Sequence, residues 1–520
     1  MTKTRTGVSA ETLASISTPD HIDTRLGPLD FVDGAPSEAT AELLYDHWAF
    51  INGVKAFVDG YPGASLVGIR RGFRSIGVED NSLLLFSELM DSASVFLTAN
   101  TDTVYALGFL DLSDGPMIVD VPSIPAPSGF LGTVDDMWFR WITDMGLPGP
   151  DRGHGGRYLL VGPEFEGTLP DGGFFVSHSR TNRVILLLRA FMIDNDPSAA
   201  LDAIHNRLRI SHYTPGGMGT AVATFLAGDS PLAGPAPAEE TIIVEGSHVS
   251  FNTVPPSDWS YWEVLKELID DEPVGSGDPE LLGMLAAVGI SKGKEFAPDP
   301  RMRRILEQAV AVGNATARTI TFAPRDDEEF SYYPGSRWIN MLFKGGYDFL
   351  TPPPEITPDG VVAYEGDGAR KIDSRIAFFY PATGVTPAMC MRLTGIGSQY
   401  LIATRDANGE FFDGARDYRI TLPADIPQSR FWSVILYDRQ TRSMLQTDQP
   451  HPSIGSQTGT VKANDDGSTT IHIGPTAPEG AETNWLQSIP GKGYFVTLRL
   501  YNPLQSFFDK SWRPSEIQPV

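Results

Sequence analysis

The sequence contains one cysteine, Cys390, among its 520 residues. A lone cysteine excludes an intrachain disulfide and any zinc site built from several thiolates. Its neighbours in PAMCMRL are apolar, which favours a buried structural thiol over a nucleophile. The sequence also has no apolar run of membrane-spanning length, and its N-terminal stretch MTKTRTGVSAETLASISTPDH has no apolar core of an export signal. We therefore expect a cytoplasmic protein, unless a leader was removed.

Positive charge is scarce. Lys and Arg together number 40 against 65 Asp and Glu, which gives a formal net charge of −25. Such a field repels nucleic-acid backbones and anionic membranes, so neither is expected as a partner. The expected partners are a small-molecule substrate and further copies of the chain, because strand edges and an N-terminal arm favour symmetric pairing.

Familiar catalytic motifs are missing as well. The sequence has no G-x-S-x-G elbow, no Walker loop, no dinucleotide fingerprint and no H-E-x-x-H. Its nine histidines are scattered, without a pair at the spacing of metal ligands on a helix. No cofactor is therefore predicted. A divalent metal held by carboxylates far apart in the sequence stays open.

Glycine (52) and proline (41) are plentiful, and short strand-like segments separated by turns, among them SRIAFFYP, dominate both ends of the chain. In FWSVILYD, the residues Trp432, Val434 and Leu436 share one face of a strand, as in an antiparallel sandwich. Helical patterns begin at Ser37, where a helix is expected to close at Gly60, and after three Asp-Pro pairs.

The predicted fold class is therefore mainly β with a helical connector (α+β), with two antiparallel β-sandwich-like domains linked by a helical layer. The expected boundaries are an N-terminal arm at 1–36, a first β-rich domain with its leading helix at 37–215, a helical connector at 216–350 and a C-terminal sandwich at 351–520.

Two stretches carry a resemblance to a known family. ANTDTVYALGFLDLSDGPMIVDVP with DMWFRWITDMGLPGPDRGHGGRYLLVGP resembles domain of unknown function 1254. SQYLIATRDANGEFFDGARDYRITLP, FWSVILYDRQTRSMLQ and NWLQSIPGKGYFVTLRLYNP resemble domain of unknown function 1214. Both occur in this order in a bacterial two-domain family, and the likeness covers most of the chain from about Tyr45. The resemblance implies two β-rich domains with a helical connection and names no activity.

The first candidate site is the polar stretch Asn100 to Tyr105. Asn100 and Asp102 lie two apart at the start of a strand and can project to the same side, where Asp102 would act as a general base and Asn100 and Tyr105 would orient a substrate. The alternative is an Asx-turn that caps the strand.

The second candidate site follows the strand FWSVILYD in the loop RQTRSMLQTDQPHPSIGSQ. Arg439 and Arg442 suit a carboxylate or another anion, with Asp448 nearby. The alternative is a structural loop in which the arginines pair with neighbouring aspartates. Arg337 and Trp485 belong to two further aromatic and cationic clusters that packing also explains, and we include both as candidate substrate-binding residues.

Together these features predict a soluble hydrolase or lyase that acts on a small organic molecule, anionic or carbonyl-containing, in a cleft between the two β-domains. The alternative is a non-catalytic ligand-binding or self-assembling protein, which explains the missing motifs equally well.

Overall fold

The first sandwich packs a six-stranded sheet on a four-stranded sheet. In the computed structural model, which describes residues 7–214, 241–325, 330–340, 346–350, 355–357, 360–362, 369–390 and 392–520, the six-stranded sheet has the order β14-β4-β6-β12-β8-β9 and the four-stranded sheet the order β11-β10-β7-β13. The strands are β4 (Leu83–Phe86), β6 (Val104–Asp111), β7 (Met117–Val121), β8 (Phe130–Asp136), β9 (Trp141–Gly146), β10 (Gly156–Val161), β11 (Phe175–His178), β12 (Arg183–Ala190), β13 (Arg209–His212) and β14 (Ile243–Glu245).

Every second side chain along these strands points into the space between the two sheets and fills it. Val104, Ala106, Val184 and Leu186 of the larger sheet share a buried cluster with Val119 of the smaller one. Because successive side chains of a strand point to opposite faces, the residues between them face away from this core. The outer face of the six-stranded sheet is therefore free to meet another layer.

The helical layer lies on that outer face. Its helices are α2 (Glu38–Ser75), α4 (Ser260–Asp271), α5 (Pro279–Ala287), α6 (Pro300–Phe322), α7 (Ile372–Phe379) and α8 (Pro387–Cys390). Outward residues of the sheet such as Leu107 and Ile185 share one apolar cluster with Phe57 of α2, Leu265 of α4 and Leu306 of α6. This cluster joins the layer to the sheet.

The second sandwich has two four-stranded sheets, in the orders β18-β24-β20-β21 and β23-β22-β19-β25. The strands are β18 (Ser398–Ala403), β19 (Tyr418–Leu422), β20 (Gln428–Asp438), β21 (Ser453–Gly455), β22 (Thr469–Gly474), β23 (Trp485–Gln487), β24 (Tyr494–Pro503) and β25 (Gln518–Pro519). Trp432, Val434 and Leu436 lie in its core, whereas Ile435 and Tyr437 join the cluster of the helical layer. The alternation predicted for β20 is therefore confirmed.

Smaller elements complete the chain. They are α1 (Ala10–Ile16), β1 (His21–Thr24), β2 (Gly27–Val32) and β3 (Ala35–Pro36) in the N-terminal arm, the pair β5 (Ser94–Val95) and β15 (Phe251–Asn252), the pair β16 (Glu355–Thr357) and β17 (Gly360–Val362), the short α3 (Ser198–Asp202) and α9 (Gln505–Phe508), a π-helical turn Ala203–Arg207, and the 3-10 turns Gly346–Asp348 and Glu482–Asn484. The predicted α+β class is confirmed.

Two local predictions were wrong. The helix from Ser37 does not close at Gly60 but continues through Pro62 to Ser75. Glycine here serves close packing, because a Cβ on Gly63 would lie 2.4 Å from a methyl group of Leu268. The segment SRIAFFYP, expected as a strand, lies largely in helix α7.

Candidate functional site

The outer face of the first sandwich carries a polar row within an apolar surface. In the register of the sheet, Arg189 of β12 lies opposite Tyr105 of β6 on one side and Leu131 of β8 on the other. The next row along the same face contains Leu187 and Thr133. Because two residues of a strand span about 7 Å, the two rows are separated by about that distance.

The facing sheet of the second sandwich carries a matching row. Arg499 of β24 lies between Tyr400 of β18 and Ser433 of β20. Thr497 lies one row further along the same face of β24. Arginine and tyrosine side chains from both sandwiches thus point into the seam between them.

A cavity of about 120 Å3 lies in this seam and is called the interdomain cavity below. Its polar lining consists of Tyr105, Arg189, Asn340, Tyr400, Arg499 and a group of threonines. The remaining lining is largely apolar and includes Phe378 and Met389 of the helical layer. A cavity of this order accommodates a molecule about as large as benzene. The interdomain cavity therefore suits a small organic molecule.

Gly384 shapes the wall of this cavity. Its φ of +75° lies in the left-handed region, and a Cβ there would lie 2.7 Å from a methyl group of Leu187. A larger residue would be strained and would fill part of the cavity.

Arg189 and Arg499 form the cationic end of the cavity and are called the arginine pair. Arg499 is 5% exposed. It donates to the carbonyl of Thr98 and to the hydroxyl of Tyr437 at 2.7 Å, while its Nε has no partner among the described residues. Neither guanidinium forms an ion pair with a carboxylate in the described part of the chain, although the charge of Arg189 acts on Asp144 and that of Arg499 acts on Asp102.

Tyr400 lies between the two guanidinium groups. The centre of its ring is 4.9 Å from Cζ of Arg499, its hydroxyl is within hydrogen-bonding reach of Arg189, and Ser398 Oγ lies 2.5 Å from the same hydroxyl. Burial alone would raise the pKa of this phenol. The charges of the arginine pair and the hydrogen bonds outweigh burial and hold the pKa of Tyr400 below its usual value.

Tyr105 experiences the opposite shift. Burial raises the pKa of its phenol, although the arginine pair acts against this. Its oxygen accepts a hydrogen bond from Asn100 Nδ2 at 2.7 Å, which leaves its own proton available to a ligand. The cavity is thus lined by one phenol whose pKa is lowered and one whose pKa is raised.

Threonine hydroxyls mark another part of the cavity, backed by a carboxyl group. Thr386 Oγ1 donates to both oxygens of Asp144, at 2.7 and 2.8 Å, and accepts from the amide of Ala388 at 3.1 Å. Asp144 lies opposite Thr133 in the sheet. Burial raises the pKa of Asp144 to about 6, although these hydrogen bonds oppose the shift.

Asp135 is a second buried carboxyl group near this part of the cavity. Its Oδ2 accepts from the amide of Val385 at 3.0 Å, and its Oδ1 has no partner among the described residues. Burial raises the pKa of Asp135 well above its usual value, and the charges of Asp136 and Asp144 add to the shift.

Of the first candidate site, Tyr105 lines the cavity, and Asn100 donates a hydrogen bond to the Tyr105 hydroxyl from outside the lining. Asn100 Oδ1 accepts from the amides of Asp102 and Thr103, which is the Asx-turn alternative. Asp102 does not line the cavity. Its two oxygens accept from Ser433 Oγ at 2.6 Å and Ser453 Oγ at 3.2 Å, and burial raises its pKa. Asp102 therefore ties the two sandwiches together.

The loop arginines lie elsewhere. Cζ of Arg442 is 4.0 Å from the ring centre of Tyr380, and its carbonyl accepts from the amide of Thr98, so it joins the loop to the first domain and the helical layer. Cζ of Arg439 lies 4.9 Å from the ring centre of Phe411. The structure does not bring either guanidinium to the interdomain cavity.

The remaining candidates also lie outside the cavity lining. Asp448 is exposed and accepts from Gln487 Nε2 at 3.0 Å. The indole of Trp485 donates to a backbone carbonyl at 2.9 Å. The amide of Arg337 donates to Glu516 at 3.0 Å.

Comparison with family models matches two segments of the chain. Residues 81–212 match the family model "Protein of unknown function (DUF1254)", and residues 397–505 match "Protein of unknown function (DUF1214)". The chain therefore contains a segment that matches DUF1254 followed by a segment that matches DUF1214. No curated protein matched the sequence.

Two solved structures are similar to this DUF1254–DUF1214 chain. The VPA0106 protein from Vibrio parahaemolyticus is 20% identical with a TM-score of 0.52, over 91% of this chain and all of that one. An uncharacterized protein from Burkholderia cenocepacia is 13% identical with a TM-score of 0.38, over 93% of this chain and 97% of that one. At this identity, the first similarity shows the fold alone.

The arginine pair spans the two family domains, since Arg189 lies in the DUF1254 domain and Arg499 in the DUF1214 domain. Sequence reasoning missed both arginines and Tyr400. A signal was present, because each arginine interrupts an apolar run, in VILLLRAFMI and GYFVTLRLYN. A charge at such a position must find a partner or line a cavity.

Two further searches concern ions and membranes. Among the described residues, no three histidine, cysteine, aspartate or glutamate side chains lie close enough to hold one metal ion. Within the same residues, every helix is too short or too polar to cross a lipid bilayer.

Proposed function

We propose that the chain is an enzyme of the hydrolase or lyase class that binds a small organic anion in the interdomain cavity. The arginine pair would bind the anion, and Tyr400 would act as the general base. The observation that carries the proposal is the convergence of Arg189 and Arg499, from different domains, on one phenol in a small cavity, where neither forms an ion pair with a carboxylate in the described part of the chain.

Anion binding follows from the cost of unpaired charge. A guanidinium group removed from water needs a counter-ion or a full set of hydrogen bonds. Planar guanidinium groups match a carboxylate, to which they donate two parallel hydrogen bonds. In a chain of net charge −25, a local cationic pocket also attracts anions that the remaining surface repels.

Acid–base chemistry follows from the two phenols. When environments push two neighbouring titratable groups in opposite directions, one serves as base and the other as acid. Tyr400, with its lowered pKa, would take a proton from water or from carbon, and Tyr105, with its raised pKa, would donate one to a ligand oxygen. We propose Tyr400 rather than Asp102 as the general base, because both oxygens of Asp102 accept hydrogen bonds from serines outside the cavity lining.

Anion binding is tested by calorimetric titration of the full chain with hexanoate and with hexanol, its neutral counterpart. We expect hexanoate to bind and hexanol to bind much more weakly. Arg189→Met should weaken hexanoate binding at least tenfold, since a hydrogen bond to a charged group contributes about 1.5–3 kcal/mol. Arg419→Met, at an exposed strand position, is the matched control. Equal affinity in both variants would contradict the anion site.

A stability measurement separates a ligand-binding arginine from a structural one. Arg189 has no ion pair among the described residues, and its guanidinium hydrogen-bonds to the hydroxyl of Tyr400. Arg189→Met should therefore lower the free energy of unfolding without ligand by no more than about 1.5–3 kcal/mol, whereas removal of one partner of a buried structural ion pair costs about 3–5 kcal/mol.

Catalysis is tested with a panel of small keto acids and carboxylate-bearing esters. The unmodified chain should exchange a carbon-bound proton or hydrolyse an ester, and Tyr400→Phe should slow that reaction by about 10²–10⁴-fold. Tyr45→Phe, at an exposed position of α2, is the control. Hexanoate binding without turnover of any panel member would favour the non-catalytic ligand-binding alternative.

A further inference from the structure

We propose that the ligand carries a hydrogen-bond donor, a hydroxyl or an ammonium group, at the end remote from its anionic group, and that Thr386 accepts this bond. The inference rests on the proposed anion site and specifies its substrate class as small bifunctional molecules, such as ω-hydroxy or ω-amino carboxylates.

The hydrogen bonds of the Thr386 hydroxyl leave one of its lone pairs without a partner among the described residues. A hydroxyl has one proton and two lone pairs. Its proton is directed to Asp144, and one lone pair accepts from the amide of Ala388. One lone pair remains, on a side chain that is 5% exposed and lines the cavity. Thr386 can therefore accept one further hydrogen bond, and the cavity is where a donor can reach it.

The ionisation state of Asp144 determines whether a ligand group at Thr386 must donate or accept a hydrogen bond. An ionised carboxylate is only an acceptor, so it holds the Thr386 proton towards itself. With a pKa of about 6, Asp144 is ionised at neutral pH. The ligand group at this position must then donate rather than accept.

Sheet register sets the spacing. Asp144 and Thr133 lie one row from Arg189 on the same face, which is about 7 Å along the strands. On the opposite sheet, Thr497 lies two residues from Arg499 along β24 and therefore at the same spacing. Its Oγ1 has no partner among the described residues, although the side chain is only 3% exposed. Hydroxyl groups from both domains thus lie one row of the sheet, about 7 Å along the strands, from the arginine pair.

The test compares two ligands of equal size. ω-Hydroxypentanoate and hexanoate have the same number of non-hydrogen atoms and differ in the terminal hydroxyl. Calorimetric titration of the full chain at neutral pH should show about tenfold tighter binding of ω-hydroxypentanoate, the gain expected from one well-placed hydrogen bond in an apolar cavity. Thr386→Val, which replaces the hydroxyl by a methyl group, should reduce this ratio to about one. Thr319→Val, at an exposed helix position, should preserve the ratio.

Equal binding of the two ligands by the unmodified chain, or an unchanged ratio in Thr386→Val, would overturn the inference and leave the anion site intact. Failure of hexanoate to bind, or binding insensitive to Arg189→Met, would instead remove the anion site and the inference with it. Should Thr386→Val not fold, the unmodified chain must still prefer ω-hydroxypentanoate to its isomer with the hydroxyl beside the carboxylate. Equal affinity for the two isomers would overturn the inference.

Discussion

Replacing Asp144 by asparagine should change how the stability of the chain depends on pH. The buried carboxyl group has a folded-state pKa of about 6, against 3.8 for the exposed group. The folded state therefore holds this proton more tightly than the unfolded state. The associated stability is fully present below about pH 4 and is lost as the pH rises through about 6.

The magnitude follows from the pKa difference. A difference of about two pH units, at about 1.4 kcal/mol per unit, corresponds to about 3 kcal/mol of unfolding free energy. Asparagine has no charge to bury and keeps an acceptor oxygen for Thr386 Oγ1 and the indole of Trp141, which both donate to Asp144. Asp144→Asn should therefore be more stable than the unmodified chain at neutral pH, by up to about 3 kcal/mol.

Urea denaturation followed by circular dichroism, at several pH values from acid to neutral, measures this effect. The difference in unfolding free energy between variant and unmodified chain should rise from pH 4 to pH 6 and then level off, because the burial of charge increases over that window. The control is Asp448→Asn, which removes an exposed carboxylate. A difference that stays flat for Asp144→Asn would refute a raised pKa at this position.

Other substitutions test the seam, the core and the cavity. The tyrosinate absorbance of the unmodified chain should include one phenol that titrates below the usual range, and Tyr400→Phe should remove that component. Asp102→Ala should lower the unfolding free energy by about 1–3 kcal/mol for each hydroxyl that loses its partner, with Ser433 the more buried of the two; denaturation checks this. Leu498→Ala, in the core of the second sandwich, should cost about 2–5 kcal/mol in the same assay. Gly384→Ala should weaken hexanoate binding in calorimetry, because the added methyl group meets Leu187 at the cavity wall.

Much of the β-architecture was predictable, because the alternation of residues along a strand shows which of its faces is buried. Alternation in FWSVILYD gave the side of β20 that faces its own core, and the buried clusters confirm it. Helix limits were less predictable. Gly60 looked like a stop signal, yet α2 continues past it because small residues there allow α4 to approach closely. The helix over SRIAFFYP depends on the layer that it joins, which lies outside any local pattern.

The candidate site was predictable only in part. Polar residues at a strand end marked Asn100 and Tyr105, and both belong to the structure around the cavity. A loop rich in arginine drew attention to Arg439, which lies outside the cavity lining. The arginines that line it, Arg189 and Arg499, are more than 300 positions apart. Periodicity shows which face a strand residue occupies but not which distant strand that face meets.

The division of the arginine pair between the two domains has a thermodynamic consequence. A ligand that bridges Arg189 and Arg499 acts as a cross-brace, so its binding energy also resists separation of the two sandwiches. By reciprocity, the free energy by which such a ligand would favour the docked sandwiches equals the free energy by which docking would favour the ligand. Variants that alter the docking of the two sandwiches should therefore also alter the affinity for this ligand.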